Sequence, residues 1–336
     1  MTVFLALLSV VCATVPMILF LGTVWWLDHN DREPAWLVLL TFVWGACGAT
    51  AASLVGNSAL VAPLGMILGP ATADQLSAVI IAPLVEEPMK ALVFLALLRS
   101  RHFDSAADGF VYGAAAGLGF GMTENALYFV GVAATGDAAS WLSTVFIRTF
   151  FSGIMHAVCA SWVGASLGAA RFRPGWVRLG AGLGGFGIAM GIHAMWNGLL
   201  TAGELTGDES FGTRAFIVQA GMFVLALVGF QLALWQERRL IVEHLAGEVA
   251  EGRVPAEHAA AVGSFWKRSR PRWVPPSMPA RPYVRALTTL ALRVRGAAHA
   301  NPREQVFHAD EVERLRREVA ALRKLERSVG PTPTGS

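Results

Sequence analysis

The sequence predicts an all-α, polytopic integral membrane protein, built as a bundle of seven or eight transmembrane helices with a helical, soluble C-terminal tail. The chain has 336 residues, of which 54% are hydrophobic and only 15% are charged. Apolar segments of about 20 residues, the length that crosses a bilayer core, recur up to residue 235. Residues 1–235 hold 9 Lys and Arg against 13 Asp and Glu, whereas residues 236–336 hold 18 against 11. The chain therefore divides into a membrane domain, residues 1–235, and a basic tail, residues 236–336.

Seven apolar segments are long enough to cross the membrane as helices. They lie near residues 3–27, 35–55, 75–98, 108–132, 141–168, 177–201 and 214–235. The first lacks the basic n-region of a signal peptide and is too long for a signal core, which favours a retained span. Residues 56–72 are also apolar, but this run is short and interrupted by Gly and Pro. A re-entrant segment, an interfacial helix and a short eighth span all fit that pattern.

The charges of the short loops predict the orientation of the chain in an inner (plasma) membrane. Arginines occur in the loops at 99–107 and 169–176 and at the start of the tail, whereas the loops at 133–140 and 202–213 have neither Lys nor Arg. Because cytoplasmic loops are enriched in Lys and Arg, the first group and the tail should be cytoplasmic. Seven spans then put the N terminus outside and the loop at 28–34 inside.

The basic tail narrows the choice of partners. Basic residues directly after a hydrophobic span are better explained by contact with an anionic lipid leaflet than by nucleic-acid binding. We therefore expect the lipid bilayer as a partner, no nucleic acid, and a tail available to a cytoplasmic partner. Apolar residues at 312, 315, 319 and 322 suit a short coiled coil or a docking helix, although two heptads favour a solvated amphipathic helix. The three cysteines form no pair that indicates a disulfide or a thiolate zinc site.

The most informative segment is VIIAPLVEEPMKALVFL at residues 79–95, because an apolar run here carries Glu86, Glu87 and Lys90 near its middle. Ionised side chains inside a membrane are costly, about 2.5–3.5 kcal/mol each on insertion scales, and they mark functional sites. Lys90 stands one turn after Glu86 and can offset its charge. The neighbouring Pro83 and Pro88 remove helical hydrogen bonds and should free a backbone carbonyl.

Three later helices carry polar residues on the same face as small residues. The rows are Gly113, Gly117, Gly121, Glu124 and Asn125 in the fourth span, Ser152, His156, Ala160 and Gly164 in the fifth, and Gly185, Ala189, His193 and Asn197 in the sixth. Small residues let helices approach closely in a membrane, so these polar groups should point into the bundle. Peptide hydrolysis needs a base, an acid and oxyanion donors, and this carboxylate and imidazole set supplies all three.

Four motifs now occur in order on successive hydrophobic segments. EEPMK at 86–90 fits EExxK, FGMTEN at 120–125 fits FxxxEN, HAMWN at 193–197 fits HxxxN, and His156 lies between the last two. Over about residues 75–200 the chain resembles the PrsW family of intramembrane proteases. That family is similar to the CAAX prenyl protease and bacteriocin-processing superfamily, whose members look like bundles of about eight helices. The tail lies outside the resemblance.

The resemblance implies an endopeptidase that cuts in or near a membrane segment of a membrane-anchored substrate, in some members by site-1 cleavage of an anti-sigma factor. Carried over by motif, Glu86 is the general base, His156 positions water, and His193 and Asn197 donate to the oxyanion. Glu87, Lys90, Glu124 and Asn125 support them.

A metal is the open question of that chemistry. The family is often described as metalloproteases, and Glu86, His156 and His193 could bind a catalytic Zn²⁺ with water as the fourth ligand. No HExxH motif is present. Both chemistries use nearly the same side chains, and we slightly favour the metal-independent one.

Two other functional classes fit part of the sequence. Buried Glu and His chains also occur in proton- or ion-coupled transporters, but the second half of this chain does not repeat the first. A membrane scaffold that acts through its tail is a third class. His156 alone could be structural, and Arg148 could simply extend its charge to the outer interface.

Overall fold

The computed structural model describes residues 2–30, 32–299 and 302–328, and regular secondary structure among them is entirely helical. The chain forms two compact units. The first comprises Met1–Asp28 and Glu33–Gln231, and the second comprises His29–Arg32 and Leu232–Ser336.

The first two helices are long and apolar. Helix α1 is Thr2–Leu27. Helix α2 runs over Ala35–Leu68 and contains a π-helical turn at Trp44–Ala49. It includes most of the run at 56–72, which the sequence left open. The helix ends at Leu68, before Gly69, whose φ of +82° favours glycine. The predicted boundary at residue 55 is therefore wrong, because neither Gly56 nor Pro63 interrupts the helix.

The predicted single span at 75–98 is divided in the structure. Helix α3 consists of Pro70–Leu76, a π-helical turn at Ser77–Ile81 and Ala82–Ala91. A break at Leu92 separates it from the short helix α4, Val93–Leu97. Pro70 lies at the start of α3, and Pro83 and Pro88 lie in its last part. Because proline has no backbone N–H to donate, these residues explain the irregular turns.

Four long helices complete the membrane unit and lead out of it. They are α5, Ala106–Thr135; α6, Ala138–Ala169, with a π-helical turn at Arg148–Ser152; α7, Gly175–Thr206; and α8, Ser210–Ala250. A reciprocal capping box starts α5: Ser105 Oγ accepts from the Asp108 backbone N–H at 3.1 Å, and Asp108 Oδ2 accepts from the Ser105 N–H at 2.8 Å.

Glycine packing fixes the positions of the helices around α5. At Gly113 and Gly117 an added Cβ would overlap the backbone carbonyls of Ala160 and His156 on α6. At Gly119 it would overlap the Phe42 carbonyl on α2. The predicted glycine row therefore brings α5 into backbone contact with α6. This contact sets the depth and rotation of His156.

Five helices among the described residues are long and apolar enough to cross a membrane by length and composition. They span Val3–Leu27, Ala35–Leu68, Ala138–Ala169, Gly175–Thr206 and Ser210–Ala250. The predicted count of seven or eight is not confirmed. The two remaining predicted spans are the divided α3–α4 segment and the glycine-rich α5, which carry the buried acids Glu86, Glu87 and Asp108.

The second unit has its own hydrophobic core. Its helices after α8 are α9, Ala256–Val262; α10, Phe265–Ser269; α11, Ala280–His299; and α12, Pro302–Ser328. Val312, Leu315 and Val319 on α12 are buried in this core, which includes Leu287 and Leu290 of α11. The prediction of a solvated amphipathic helix is therefore wrong, because α12 packs against α11 within the same chain.

Candidate active site

A polar cavity of about 580 Å³ lies within the membrane unit, lined by residues of α2, α3, α5, α6 and α7. Five of the six predicted catalytic residues line it, namely Glu86, Glu124, His156, His193 and Asn197. Glu87 lies behind them and is fully buried. The structure thus brings together side chains that are up to 111 positions apart in the sequence.

Lys90 contacts Glu87 more closely than Glu86. Its Nζ lies 2.7 Å from Glu87 Oε1 and 3.8 Å from Glu86 Oε2. It also donates to His156 Nδ1 at 2.8 Å and lies over the ring of Phe120. The predicted pairing with Glu86 is therefore secondary. Glu86 Oε2 is buried and has no hydrogen-bonding partner within the described residues.

Glu87 also fixes the orientation of His193. Its Oε1 lies 2.8 Å from His193 Nδ1. Because a carboxylate only accepts hydrogen bonds, Nδ1 carries a proton, and in the neutral imidazole Nε2 then has the lone pair. That nitrogen lies 3.9 Å from Glu86 Oε2. A carboxylate behind an imidazole in this way is the arrangement that supports histidine ligands of metals.

His156 is held between two charged groups. Lys90 donates to its Nδ1, so its Nε2 carries the proton, which it donates to Glu124 Oε2 at 2.6 Å. The rings of His156 and His193 meet edge to face, with centroids 5.1 Å apart. Both nitrogens of His156 thus have partners in this structure.

Arg148 extends the chain of charges to the edge of the cavity. Its Nη2 lies 2.9 Å from Glu124 Oε2, and its guanidinium lies 3.6 Å from the ring centroid of Tyr128. Its Nε donates to Asn125 Oδ1 and its carbonyl accepts from Asn125 Nδ2, both at 3.2 Å. Arg148 belongs to the site and does not simply extend to the interface.

Asn197 is tied to the irregular part of α3. Its Nδ2 donates to the Ala78 carbonyl at 2.7 Å. In the π-helical turn, Ala82 N–H bonds to the Ser77 carbonyl, five residues earlier. The next donor in that pattern would be Pro83, which has no N–H. The prolines were expected to free a backbone carbonyl, and the Ala78 carbonyl is capped by Asn197. The second N–H of the Asn197 amide is not used in this bond.

The predicted metal ligands fit a metal ion in part. One donor atom each of Glu86, His156 and His193 lies within 4.8 Å of the others. The unpartnered Oε2 of Glu86 and the lone pair of His193 Nε2 are open donors. His156 could join them only by exchanging a hydrogen bond with Lys90 or Glu124. Imidazole and carboxylate donors are those that Zn²⁺ takes in proteins.

Sequence reasoning missed two residues of α2, Asn57 and Ser53, and it left open whether Arg148 belongs to the site. Asn57 of α2 lies in the undecided run at 56–72, and its Nδ2 is 3.4 Å from Glu86 Oε1. Arg148 lies inside an apolar segment, which is the same signal that identified Glu86. Ser53 of α2 also lines the cavity.

Comparison with known proteins decides the family. A family model described as PrsW family intramembrane metalloprotease matches residues 33–229, more than half of the chain. This chain belongs to the PrsW family. The match includes every residue of the cavity and ends before the tail.

Two relatives called Protease PrsW have similar sequences. The protein of Oceanobacillus iheyensis is 25% identical over 236 residues, which cover 68% of this chain and 92% of the relative. That of Bacillus subtilis is 34% identical over 89 residues, covering 26% of this chain and 37% of the relative. No solved structure matches the chain.

Membership of the PrsW family makes this chain a protease of the membrane with a membrane-protein substrate. The apolar helices agree with a multi-pass membrane protein. The transporter alternative is not favoured. The buried carboxylates and imidazoles of the cavity all lie within the residues that match the family.

Proposed function

We propose that this chain is an endopeptidase that hydrolyses a peptide bond in or near the membrane segment of a membrane-anchored protein, with Glu86 at the reacting centre. The observation that carries the proposal is the unpartnered Oε2 of Glu86, buried at the wall of a polar cavity within an apolar bundle. A carboxylate oxygen in that state can take a proton from water or bind a cation. Leaving it without a partner would otherwise cost stability.

We propose that Glu86, His193 and His156 hold a divalent cation, for which Zn²⁺ fits the donors. The bond from His193 Nδ1 to Glu87 supports this role over that of oxyanion donor, because a neutral imidazole with its proton on Nδ1 offers a lone pair at Nε2. The family description as a metalloprotease supports it further against the metal-independent alternative. A bound Zn²⁺ would supply Lewis-acid polarisation of the scissile carbonyl and activation of water.

The remaining residues position and stabilise. Glu87 orients His193 and balances Lys90. Glu124 orients His156 and is balanced by Arg148. Asn197 keeps one N–H for the developing oxyanion while its other N–H caps Ala78.

A second part of the proposal concerns topology. We propose seven spans in the inner membrane, with a cytoplasmic tail that is free to meet a cytoplasmic partner. Two observations support this. The loop residues His29–Arg32 group with the tail in one compact unit, which supports an even number of crossings between them. Six predicted spans lie between residue 34 and residue 236, and α2 includes residues 56–68 of the candidate eighth span, so that run is no separate span.

The substrate follows from the family resemblance. We propose a single-pass membrane protein, and a membrane-anchored anti-sigma factor is the specific candidate. The test is to purify the protein with bound metal, reconstitute it in liposomes and add a single-pass substrate with an epitope at each end. Wild type should release a fragment, and Glu86→Gln should not. Intact substrate with wild type across several such proteins would reject the function.

A further inference from the structure

We propose that α2 carries a binding strip for the backbone of the substrate, in which Ser53 and Asn57 hydrogen-bond to peptide groups beside the scissile bond. The inference deepens the proposed protease function and rests on it. Thr50, Ser53, Leu54 and Asn57 of α2 all line the cavity. Their spacing of three and four residues puts them on one face of the helix.

Two atoms of this strip are buried without partners. Ser53 is only 2% exposed, and its Oγ has no hydrogen-bonding partner within the described residues. The same is true of Oδ1 of Asn57, whose Nδ2 lies 3.4 Å from Glu86 Oε1. Buried polar atoms nearly always have partners, so each exception needs an explanation.

Several other hydroxyl groups in these helices do have partners, although, among the described residues, Oγ1 of Thr149 and Oγ of Ser210 are also buried without one. Oγ of Ser9 donates to the Leu5 carbonyl at 2.8 Å, and Oγ1 of Thr41 donates to the Leu37 carbonyl at 2.9 Å. Such bonds to the preceding turn are the usual solution for Ser and Thr in apolar helices. Ser53 does not make this bond. Its hydroxyl is therefore available to a ligand in the cavity.

The packing of α2 explains why this strip reaches the site. Gly45 lies against the Ala116 carbonyl of α5, and Thr123 Oγ1 donates to the Ala46 carbonyl at 2.7 Å. The π-helical turn at Trp44–Ala49 adds a residue just before the strip and rotates the remainder of α2 about its axis. Residues 50–57 of α2 and 120–127 of α5 then face the cavity from the two helices.

The chemistry of the strip points to a peptide backbone. A transmembrane segment must unwind locally to expose a scissile bond, and its freed N–H and C=O groups need partners away from water. Ser53 Oγ can donate and accept, whereas Asn57 Oδ1 accepts only. Ser53 and Asn57 lie one turn of α2 apart, and Asn57 lies beside Glu86. Together they match an extended peptide segment that offers a carbonyl and N–H groups.

Binding can be measured without turnover. In the Glu86→Gln protein, which should not cleave, a fluorescent peptide of a single-pass segment should bind, and adding Ser53→Ala should raise its Kd about fivefold, as loss of one hydrogen bond predicts. Ser53→Thr keeps the hydroxyl and should retain tight binding. Ser58→Ala removes a hydroxyl of the same helix outside the strip and should change nothing.

A backbone probe distinguishes this from general loosening of the cavity. Replacing one amide of the peptide by an ester removes a single N–H. The ester is moved along the peptide to find the position that faces Asn57. At that position it should weaken binding about fivefold to the parent protein, which retains Asn57, and should not change binding to the Asn57→Leu variant. Equal Kd values for Ser53→Ala and its parent would overturn the proposed binding strip. So would an Asn57→Leu variant in which every ester weakens binding as much as it does in the parent. If no such peptide binds the parent protein, the proposed function itself fails.

Discussion

Glu87 and His193 are joined by a hydrogen bond of 2.8 Å from Nδ1 to Oε1, and the same oxygen accepts from Lys90 at 2.7 Å. One buried carboxylate therefore sets the tautomer of the imidazole that faces Glu86. We expect Glu87→Gln to weaken metal binding about 10- to 100-fold, as loss of such a supporting carboxylate usually does. Metal titration of the purified protein measures this, with the exposed Glu209→Gln as control. Unchanged affinity would contradict the support role.

Glu86→Gln should lower cleavage of a single-pass substrate by about 10²–10⁴-fold, because the amide can neither take a proton from water nor replace the carboxylate that would hold the cation. The protein should accumulate and unfold as wild type does, because the substitution keeps the shape and removes a buried charge that lacks a close partner. Single-turnover cleavage and thermal unfolding in detergent test the two parts. Cleavage at the wild-type rate would reject the assignment.

His193→Ala and Asn197→Ala should differ in their metal content. Loss of His193 removes an open donor, so the protein should lose its metal and its activity together. Asn197→Ala should keep the metal while turnover falls by about 10²–10³, as loss of one oxyanion donor does. Metal analysis with single-turnover rates separates these effects. Full metal in His193→Ala would mean that this residue is not a ligand.

Arg148→Ala should destabilise the membrane unit by about 1–3 kcal/mol, because it leaves the carboxylate of Glu124 without its 2.9 Å partner. Arg148→Lys should recover part of this loss. Adding Glu124→Gln to Arg148→Ala should recover more, since the uncompensated charge is then gone. Unfolding in a graded denaturant measures each variant. Equal stability of Arg148→Ala and wild type would mean that the ion pair contributes nothing.

Reporter fusions test the topology. A reporter after residue 236 or within the loop at 28–34 should be cytoplasmic, and one within 202–213 should not, because Lys and Arg are absent from that loop. The reporters in the loop at 28–34 and after residue 236 should lie on the same side of the membrane, because residues 29–32 and the tail form one unit. Opposite sides for these two sites would reject the count of seven spans.

The sequence by itself determined the class of the protein and the carboxylates and histidines at the centre of its cavity. Hydropathy over about 20 residues reveals membrane segments wherever they lie. The cost of burying charge identifies Glu86, Glu87, Glu124 and the two histidines without any knowledge of their neighbours. The glycine row of α5 predicted its close contact with another helix, and the structure confirms that contact at Gly113 and Gly117. These signals are local in the chain.

Only the tertiary structure decided which groups meet. Lys90 pairs with Glu87, Arg148 with Glu124, and Asn57 reaches Glu86. Asn197 finds a carbonyl that a proline left free. These pairings depend on the rotation of each helix, and three π-helical turns add residues that shift it by about 100° each. Assigning helix faces from the sequence assumes a constant period of 3.6 residues and therefore does not detect such turns. The partners of the buried charges are set by the packed helices, because only packing fixes rotation about the helix axis.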